Sequence, residues 1–277
     1  MKKEIKATLY LVPTPIGNLS DMTFRAVQVL KDVDIVYAED TRTSSVLLQH
    51  YDIATPVRSY HKFNESSRCP EIIELLKAGK SIAIISDAGT PGISDPSNII
   101  IRESIKHSVP ICPLPGATAL IPALCASGFD TSQFYMAGFL PTQKKQTDAL
   151  LNRLKSIDVP IVFYEAPHRL HKTLLQIQQF FGNADTSISR EISKIYESFY
   201  RGKLSDILVD IESITLKGEF VIVTIPEKKE INIEESVLRL YQEKYSDEKL
   251  SKASINIAQE LNIAKNVVYE ILIKKNK

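Results

Sequence analysis

Residues 81–96 read S-I-A-I-I-S-D-A-G-T-P-G-I-S-D-P, and the fold is decided there. Ile82, Ala83, Ile84 and Ile85 form a short unbroken apolar run bounded by serines, the pattern of a buried strand. The loop after it holds two glycines, two prolines and two aspartates. Gly89 and Gly92 leave room for a ligand to approach the backbone, and Asp87 and Asp95 are placed to accept hydrogen bonds from an amine or from hydroxyls. Ordinary turns use the same letters. A helical pattern follows over Ser97 to His107, so the segment reads as strand, shaped loop and helix.

The same grammar extends outward in both directions. Strands are predicted at Thr8 to Val12, Asp34 to Ala38, Ser81 to Ser86 and Val109 to Leu114. Helices are predicted between them at Thr23 to Leu30, Thr41 to His50 and Glu65 to Ala78. This β-α-β alternation favours a largely parallel sheet covered by helices. After the P-L-P-G turn at Pro113 to Gly116 a second set begins. Its strands are Gln133 to Ala137, Pro160 to Tyr164, Thr186 to Arg190 and Glu219 to Ile225, and its helices are Gln146 to Ser156, Arg169 to Phe181 and Ser205 to Ser213. The expectation is an α/β protein of two lobes, 1–115 and 116–228, followed by a helical tail over 229–277. The tail opens on the charged stretch Glu227 to Glu230. Its helical patterning covers Glu234 to Lys244, Ser251 to Leu261 and Lys265 to Ile273. The last two helices form a helix-turn-helix-like pair presenting Lys265, Asn266, Tyr269, Lys274 and Lys275 to nucleic acid, or else a cap over an apolar face.

Composition excludes several classes. The 277 residues are 44% apolar and 24% charged, which is ordinary for a globular enzyme, and the net charge of +1 gives no global pull toward polyanions. Any RNA contact must therefore be local. Cys69, Cys112 and Cys125 are odd in number and lack a C-x-x-C spacing, so neither a disulfide framework nor a zinc knot is indicated. The start of the chain, with Lys2, Lys3, Glu4 and Lys6, has no long apolar region behind it, and no stretch nears the roughly 18 apolar residues of a membrane span. A cytoplasmic protein with no membrane partner is expected.

Other strand ends carry chemistry of their own. The first strand runs into V-P-T-P-I-G-N-L-S-D, Val12 to Asp21, a stiff turn with one permissive glycine. It is neither a dinucleotide fingerprint nor a P-loop. The second strand delivers Glu39, Asp40, Thr41 and Arg42. The acid pair suits a cationic or hydroxyl-rich ligand and Arg42 a phosphate, the alternative being a plain helix start with Asp40 as its cap. L-P-G-A-T-A, Leu114 to Ala119, offers another helix amino terminus. In the second lobe Y-E-A-P-H-R, Tyr164 to Arg169, and R-E-I-S-K-I-Y-E, Arg190 to Glu197, crowd charge at strand ends. His168 and His171 lack a third ligand at zinc spacing, so no metal is expected. Lys144, Lys145, Arg153 and Lys155 form a basic helix face, either solvated or set against an RNA backbone.

Taken in order, these strings resemble the ribosomal RNA small-subunit methyltransferase I family of the tetrapyrrole methylase class. The resemblance rests on V-P-T-P-I-G-N-L, A-E-D-T-R (Ala38 to Arg42), H-K-F-N-E (His61 to Glu65), S-D-A-G-T-P with I-S-D-P, L-P-G, G-F-L-P (Gly138 to Pro141), F-Y-E-A-P-H-R, R-E-I-S-K-I-Y-E and K-G-E-F-V. It implies two α/β lobes with S-adenosylmethionine in the cleft between them, a homodimer, and 2′-O-methylation of a cytidine ribose in the decoding region of 16S ribosomal RNA. The substrate is then the RNA or the small subunit. Compared with the tetrapyrrole-modifying members, T-P-I-G-N replaces a glycine-rich first loop and S-D-A-G-T-P replaces G-G-D-P, which favours RNA over a porphyrin. By motif position the implied cofactor contacts are Ile16, Ser86, Asp87, Ala88, Ile93, Thr118, Ala119 and Tyr164.

Methyl transfer to a hydroxyl depends mostly on positioning, with further gain from a base that takes the proton. The candidates for that base are Glu39, Asp40, His61, Glu65, Glu191 and Glu197. Arg42, Arg169, Arg190, Lys194 and Arg201 are the candidates for holding RNA phosphates. The same acids and cations also suit structural ion pairs. Two rival functions remain open on the sequence: methylation of a small tetrapyrrole, and ribosome binding without catalysis.

Overall fold

The computed structural model of the chain describes residues 7–228 and 233–275. Lys2, Lys3, Glu4 and Lys6, and Lys229 and Glu230 of the charged stretch, lie outside the described residues. One compact unit runs to Glu227, and a second covers Lys228 onward.

The first unit holds two five-stranded sheets. In the first, β1 (Leu9–Val12), β2 (Ile35–Ala38), β3 (Val57–Ser59), β4 (Ile82–Ile85) and β5 (Ile111–Pro113) lie side by side in the order β3-β2-β4-β1-β5, every neighbour parallel. Helices α1 (Phe24–Asp32), α2 (Thr41–His50), α3 (Glu65–Lys77) and α4 (Asn98–Lys106) connect them. Strand residues alternate between two cores. Leu9, Leu11, Ile35, Tyr37, Ile82 and Ile84 face Ile72, Leu76 and Ile100 of α3 and α4. Val12, Val36, Ala38, Ala83 and Ile85 face Ala26, Leu30 and Leu48 of α1 and α2. Burial on both sides is why these strands read as unbroken apolar runs. The connection leaving β1 runs toward one edge of the sheet and the connection leaving β4 toward the other. Their adjacent carboxyl ends are thus the place where open α/β sheets bind ligands.

A short helix α5 (Leu120–Cys125) leads to the second sheet. Its strands β6 (Tyr135–Phe139), β7 (Ile161–Glu165), β8 (Asp185–Arg190), β9 (Ser198–Lys203) and β10 (Phe220–Ile225) stand in the order β6-β7-β10-β8-β9. Only β6 and β7 are parallel, and the other pairs are antiparallel. Helices α6 (Lys144–Leu154), α7 (Leu170–Phe181) and α8 (Leu204–Val209) bury one face, with Ile161, Phe163, Ile188, Phe220 and Ile222 beneath them. The opposite face, Val162, Val221 and Val223, packs on Ala123 and Leu124 of α5, on Ile16 from the loop after β1 and on Ala119 from the loop after β5. The lobes are joined through that apolar contact.

Three elements are absent from the sequence-level prediction: β3, β9 and α5. The helix predicted over Ser205 to Ser213 divides into α8 and a 3-10 turn, Ile211–Ser213. In the second unit α9 (Ile233–Leu240), a π-helical turn (Tyr241–Tyr245), α10 (Leu250–Leu261) and α11 (Lys265–Lys275) enclose a core of Val237, Ala253, Ile257, Val268 and Leu272. Asn262 closes α10 in the left-handed conformation, φ 51°, which produces the tight turn into α11. Lys265, Asn266, Tyr269, Lys274 and Lys275 are exposed. Among the described residues no helix is long and apolar enough to cross a membrane.

Candidate functional site

The strand order brings separate sequence motifs to one place. Because β4 lies beside β1, the loops after them are stitched together. The Thr14 and Gly89 amides exchange backbone hydrogen bonds at 2.9 Å each, the Thr14 hydroxyl donates to the Ser86 carbonyl at 2.9 Å, and the Ser86 hydroxyl donates to the Gly89 carbonyl at 3.0 Å. Because β2 lies on the other side of β4, the backbone N–H of Asp40 donates to Asp87 Oδ1 at 3.0 Å. The loop after β5 joins through Thr90, whose hydroxyl donates to the Ala117 carbonyl at 3.0 Å.

These loops form one wall of a cavity of about 410 Å³, within the range of small-molecule sites. The other wall comes from the second lobe: Phe139 at the end of β6, Tyr164 to Pro167 at the end of β7, Ile192, and Gly218 to Val221 leading into β10. Ile16, Asp87, Ala88, Ile93, Thr118, Ala119 and Tyr164 all line it. Ser86 lies just beneath, buried, tying the loop to its neighbour. Phe139, Glu165, Ile192 and Gly218 to Val221 do not stand out individually in the sequence. Their signal is the presence of G-F-L-P, Y-E-A-P, R-E-I-S-K-I-Y-E and K-G-E-F-V at strand ends.

A second-lobe segment reaches across to the first. The stem of Lys194 lies over Gly17, where any side chain would collide with it, and the Ser193 hydroxyl bonds the Asp21 carboxylate. Lys194 Nζ pairs with Glu191 at 2.8 Å and Glu219 at 3.0 Å. Glu191 and Ser193 both adopt positive φ to make this turn. Gly218 is equally constrained, at φ 91° with the Glu191 carboxyl occupying the place of a Cβ.

None of the six candidate bases lines the cavity. Asp40 caps α2 by accepting the Arg42 N–H and pairs with the Arg42 guanidinium at 2.7 Å, which holds its carboxyl down to about 2. The helix-start reading of that residue is therefore the one realised. Glu191 is paired with Lys194, and Glu197 accepts the Ser193 N–H at 2.7 Å. His61 accepts the Phe63 N–H at 3.3 Å, and Glu65 sits in the first turn of α3. Glu39 is half-buried behind the cavity wall. Burial and the charge of Asp87 push its carboxyl up, against an opposing effect of His61.

The candidate phosphate cations also separate. Arg42 is 90% exposed and Arg201 is exposed, its guanidinium 4.7 Å from the Phe199 ring and donating to the Ala126 carbonyl. Arg169 is half-buried, bonded to the Leu140 carbonyl and facing Glu165 Oε1 at 3.3 Å. For Arg190 and Lys194 the expectation is corrected. Arg190 is 9% exposed and donates to the carbonyls of Lys217 and Tyr196, so it holds the turn instead of meeting solvent. Lys194 is occupied by two acids.

The cavity's chemistry fits a nucleoside-bearing sulfonium donor. It combines apolar side chains and two aromatic rings with the carboxylates of Asp87 and Asp95, and its loops expose backbone. Comparison with known proteins agrees. The sequence profile described as Tetrapyrrole (Corrin/Porphyrin) Methylases matches residues 8–208. The chain is 44% identical over 234 residues to "Ribosomal RNA small subunit methyltransferase I" of Halalkalibacterium halodurans, covering 84% of this chain and 81% of that one. It is 42% identical to the protein of the same name from Synechocystis, covering 96% and 97%. Among solved structures it superposes on diphthine synthase with a TM-score of 0.64 at 14% identity, covering 79% of this chain and 89% of that one. A uroporphyrin-III C-methyltransferase from Thermus thermophilus, complexed with S-adenosylhomocysteine, gives a TM-score of 0.55 at 17% identity, covering 78% and 96%. At such identities the structures show a shared fold.

Proposed function

The chain belongs to the ribosomal RNA small-subunit methyltransferase I branch of the tetrapyrrole methylases, and from that premise we propose that it transfers a methyl group from S-adenosylmethionine to a cytidine ribose 2′-hydroxyl in the decoding region of 16S ribosomal RNA. The observation that carries this reading is the cavity itself. Loops from the ends of β1, β4 and β5 meet the second sheet there, and seven of the eight residues named for the cofactor on sequence grounds (Ile16, Asp87, Ala88, Ile93, Thr118, Ala119 and Tyr164) line it. The relatives named for ribosomal RNA are 42–44% identical to this chain over most of its length, and this favours RNA over a porphyrin.

In this reading the bound donor supplies an electrophilic methyl group. Residues 1–115 and 116–228 serve as two lobes that enclose it. Asp87 and Thr118 bind its polar groups, Ile16, Ile93 and Ala119 exclude water, and Tyr164 contributes an aromatic face. Orientation of the hydroxyl toward the methyl group then accounts for most of the acceleration. Arg42 and Arg201, the cations that face solvent, hold RNA phosphates, and the exposed lysines of α11 add a further contact. The working form is a homodimer in the cytoplasm.

Purified chain incubated with labelled donor and small ribosomal subunits is expected to place one label per subunit on a ribose. Porphyrinogen is expected to take none. Label on porphyrinogen alone, or subunit binding without any transfer, would reject the reading in favour of one of its rivals.

A further inference from the structure

Among the described residues the three most exposed large apolar side chains are Phe24 at 97%, Phe63 at 94% and Ile195 at 94%, with Tyr196 next to the last at 72%. Single exposed hydrophobics are ordinary, but these four share one edge of the molecule. Every strand of the first sheet ends on that edge, because all its neighbours are parallel. Phe24 opens α1 after the loop that leaves β1. Phe63 lies in the turn between β3 and α3, within the H-K-F-N-E string. Just before that turn the Tyr60 amide donates to the Ala38 carbonyl at 2.8 Å, and the Asp40 amide in turn donates to Asp87 of the cavity wall. Ile195 and Tyr196 come from the second lobe. Their turn is fastened to the β1 loop by Ser193 with Asp21 and by the stem of Lys194 over Gly17, and its Ile192 reaches the cavity. The four side chains therefore stand on the edge whose loops build the cavity, without lining the cavity itself.

The exposure is held in place. Glu191 and Ser193 keep left-handed backbones, φ 52° and 68°, to project the turn. Arg190 donates to the Tyr196 carbonyl at 3.1 Å, and Glu197 accepts the Ser193 N–H at 2.7 Å. Strain of this kind persists only where the surroundings over-determine it, and it clusters where ligands are gripped. In the β3–α3 turn Asn64 Oδ1 accepts the His61 N–H at 2.7 Å, and the His61 ring stands 6.2 Å from that of Phe63 at an interplanar angle of 64°.

Rings and charge together decide what such an edge takes. Arg42 is already matched by Asp40, and the net charge is +1, so charge alone gives a polyanion little hold there. Three uncovered rings offer an unpaired nucleotide what charge does not, since any base stacks on an aromatic face. A paired base inside a duplex has no free face to give. We propose that this edge holds unpaired nucleotides flanking the methylated one, their bases stacked on Phe24, Phe63 and Tyr196, with Ile195 packing beside them. The inference rests on the reading of the chain as an RNA methyltransferase and adds how the RNA is held. Stacking fixes the neighbouring sugars, so the target ribose enters the cavity already oriented toward the donor.

The test uses the full chain and small ribosomal subunits, with binding measured over a range of salt. Phe24→Ala, Phe63→Ala and Tyr196→Ala are each expected to raise Kd by roughly 5- to 150-fold, the worth of one stacked base. The slope of log affinity against log salt should keep its wild-type value, because no phosphate contact is lost. Calorimetric affinity for S-adenosylmethionine should also stay at the wild-type value, since the rings lie outside the cavity. Phe63→Tyr should bind subunits like the wild type and Phe63→Leu should not, because leucine is apolar but offers no ring. Short single-stranded RNA should compete with subunits for the wild-type chain, and a duplex of the same sequence should compete far less.

Wild-type subunit affinity in the triple alanine variant overturns the proposal. So does Phe63→Leu binding as well as Phe63→Tyr, a duplex competing as well as the single strand, or a loss of donor affinity equal to the loss of subunit affinity. Sedimentation of the chain alone gives a further check. If removing the rings abolishes self-association, a second copy covers this edge and the proposal falls. A wild-type chain that neither binds nor methylates subunits overturns the parent reading instead.

Discussion

Gly218 shows how much of this site depends on single backbone positions. It stands at φ 91° with the carboxyl of Glu191 where a side chain would begin, and Glu191 in turn holds Lys194 over Gly17. A left-handed conformation costs a residue with a Cβ about 1–2 kcal/mol before any collision is counted. Gly218→Ala is therefore expected to lose about 2 kcal/mol or more in urea unfolding and to weaken donor binding, because Glu191 must move and Lys194 with it. Unchanged stability would show that the turn relaxes freely. At this scale the sequence locates loops better than roles. Asp87, Thr118 and Tyr164, which the family resemblance implies as cofactor contacts, line the cavity, whereas none of the acids that look like bases in the sequence does. Residue type identifies a carboxylate, but only the neighbours decide whether it is already bonded. Asp40 and Asp95 are both aspartates at strand-end loops. One is held to about 2 by Arg42 and the other pushed to about 7 by burial and like charge.

The elements are legible wherever burial is complete. β1, β2, β4, β7 and β10 are buried over nearly all their length and stand out as apolar runs. β3 and β9 are edge strands with half-exposed residues, V-R-S and S-F-Y-R-G-K, and carry too little alternation to register. α5 has six residues and contains Pro122, so its helical character comes from packing of Ala123 and Leu124 against the second sheet. Helix starts follow local chemistry. Thr23 caps α1 by accepting the Ala26 N–H at 3.0 Å. Thr23→Ala is expected to cost about 1 kcal/mol, read from the urea midpoint at constant slope. Thr23→Ser should recover most of that, because the hydroxyl carries the interaction.

At the scale of the molecule, the cavity is lined by residues of the first compact unit only. A chain ending at Glu227 is thus expected to bind S-adenosylmethionine within about threefold of the full chain by calorimetry. If α11 binds RNA, the same truncation should weaken subunit binding and flatten its salt dependence, since every phosphate no longer neutralised takes nearly one unit from the slope of log affinity against log salt. Equal subunit affinity and slope would leave the second unit without a nucleic-acid role. The sequence by itself determined the alternation of strand and helix, the motifs at the strand ends and the family, because these depend on periodicity and on short strings whose residues are neighbours along the chain. The order β3-β2-β4-β1-β5, the antiparallel character of the second sheet and the pairing of individual acids were decided only in three dimensions. Strand pairing and carboxylate partners come from residues far apart in sequence, such as Asp40 with Asp87 and Gly17 with Lys194, and no local pattern records those distances.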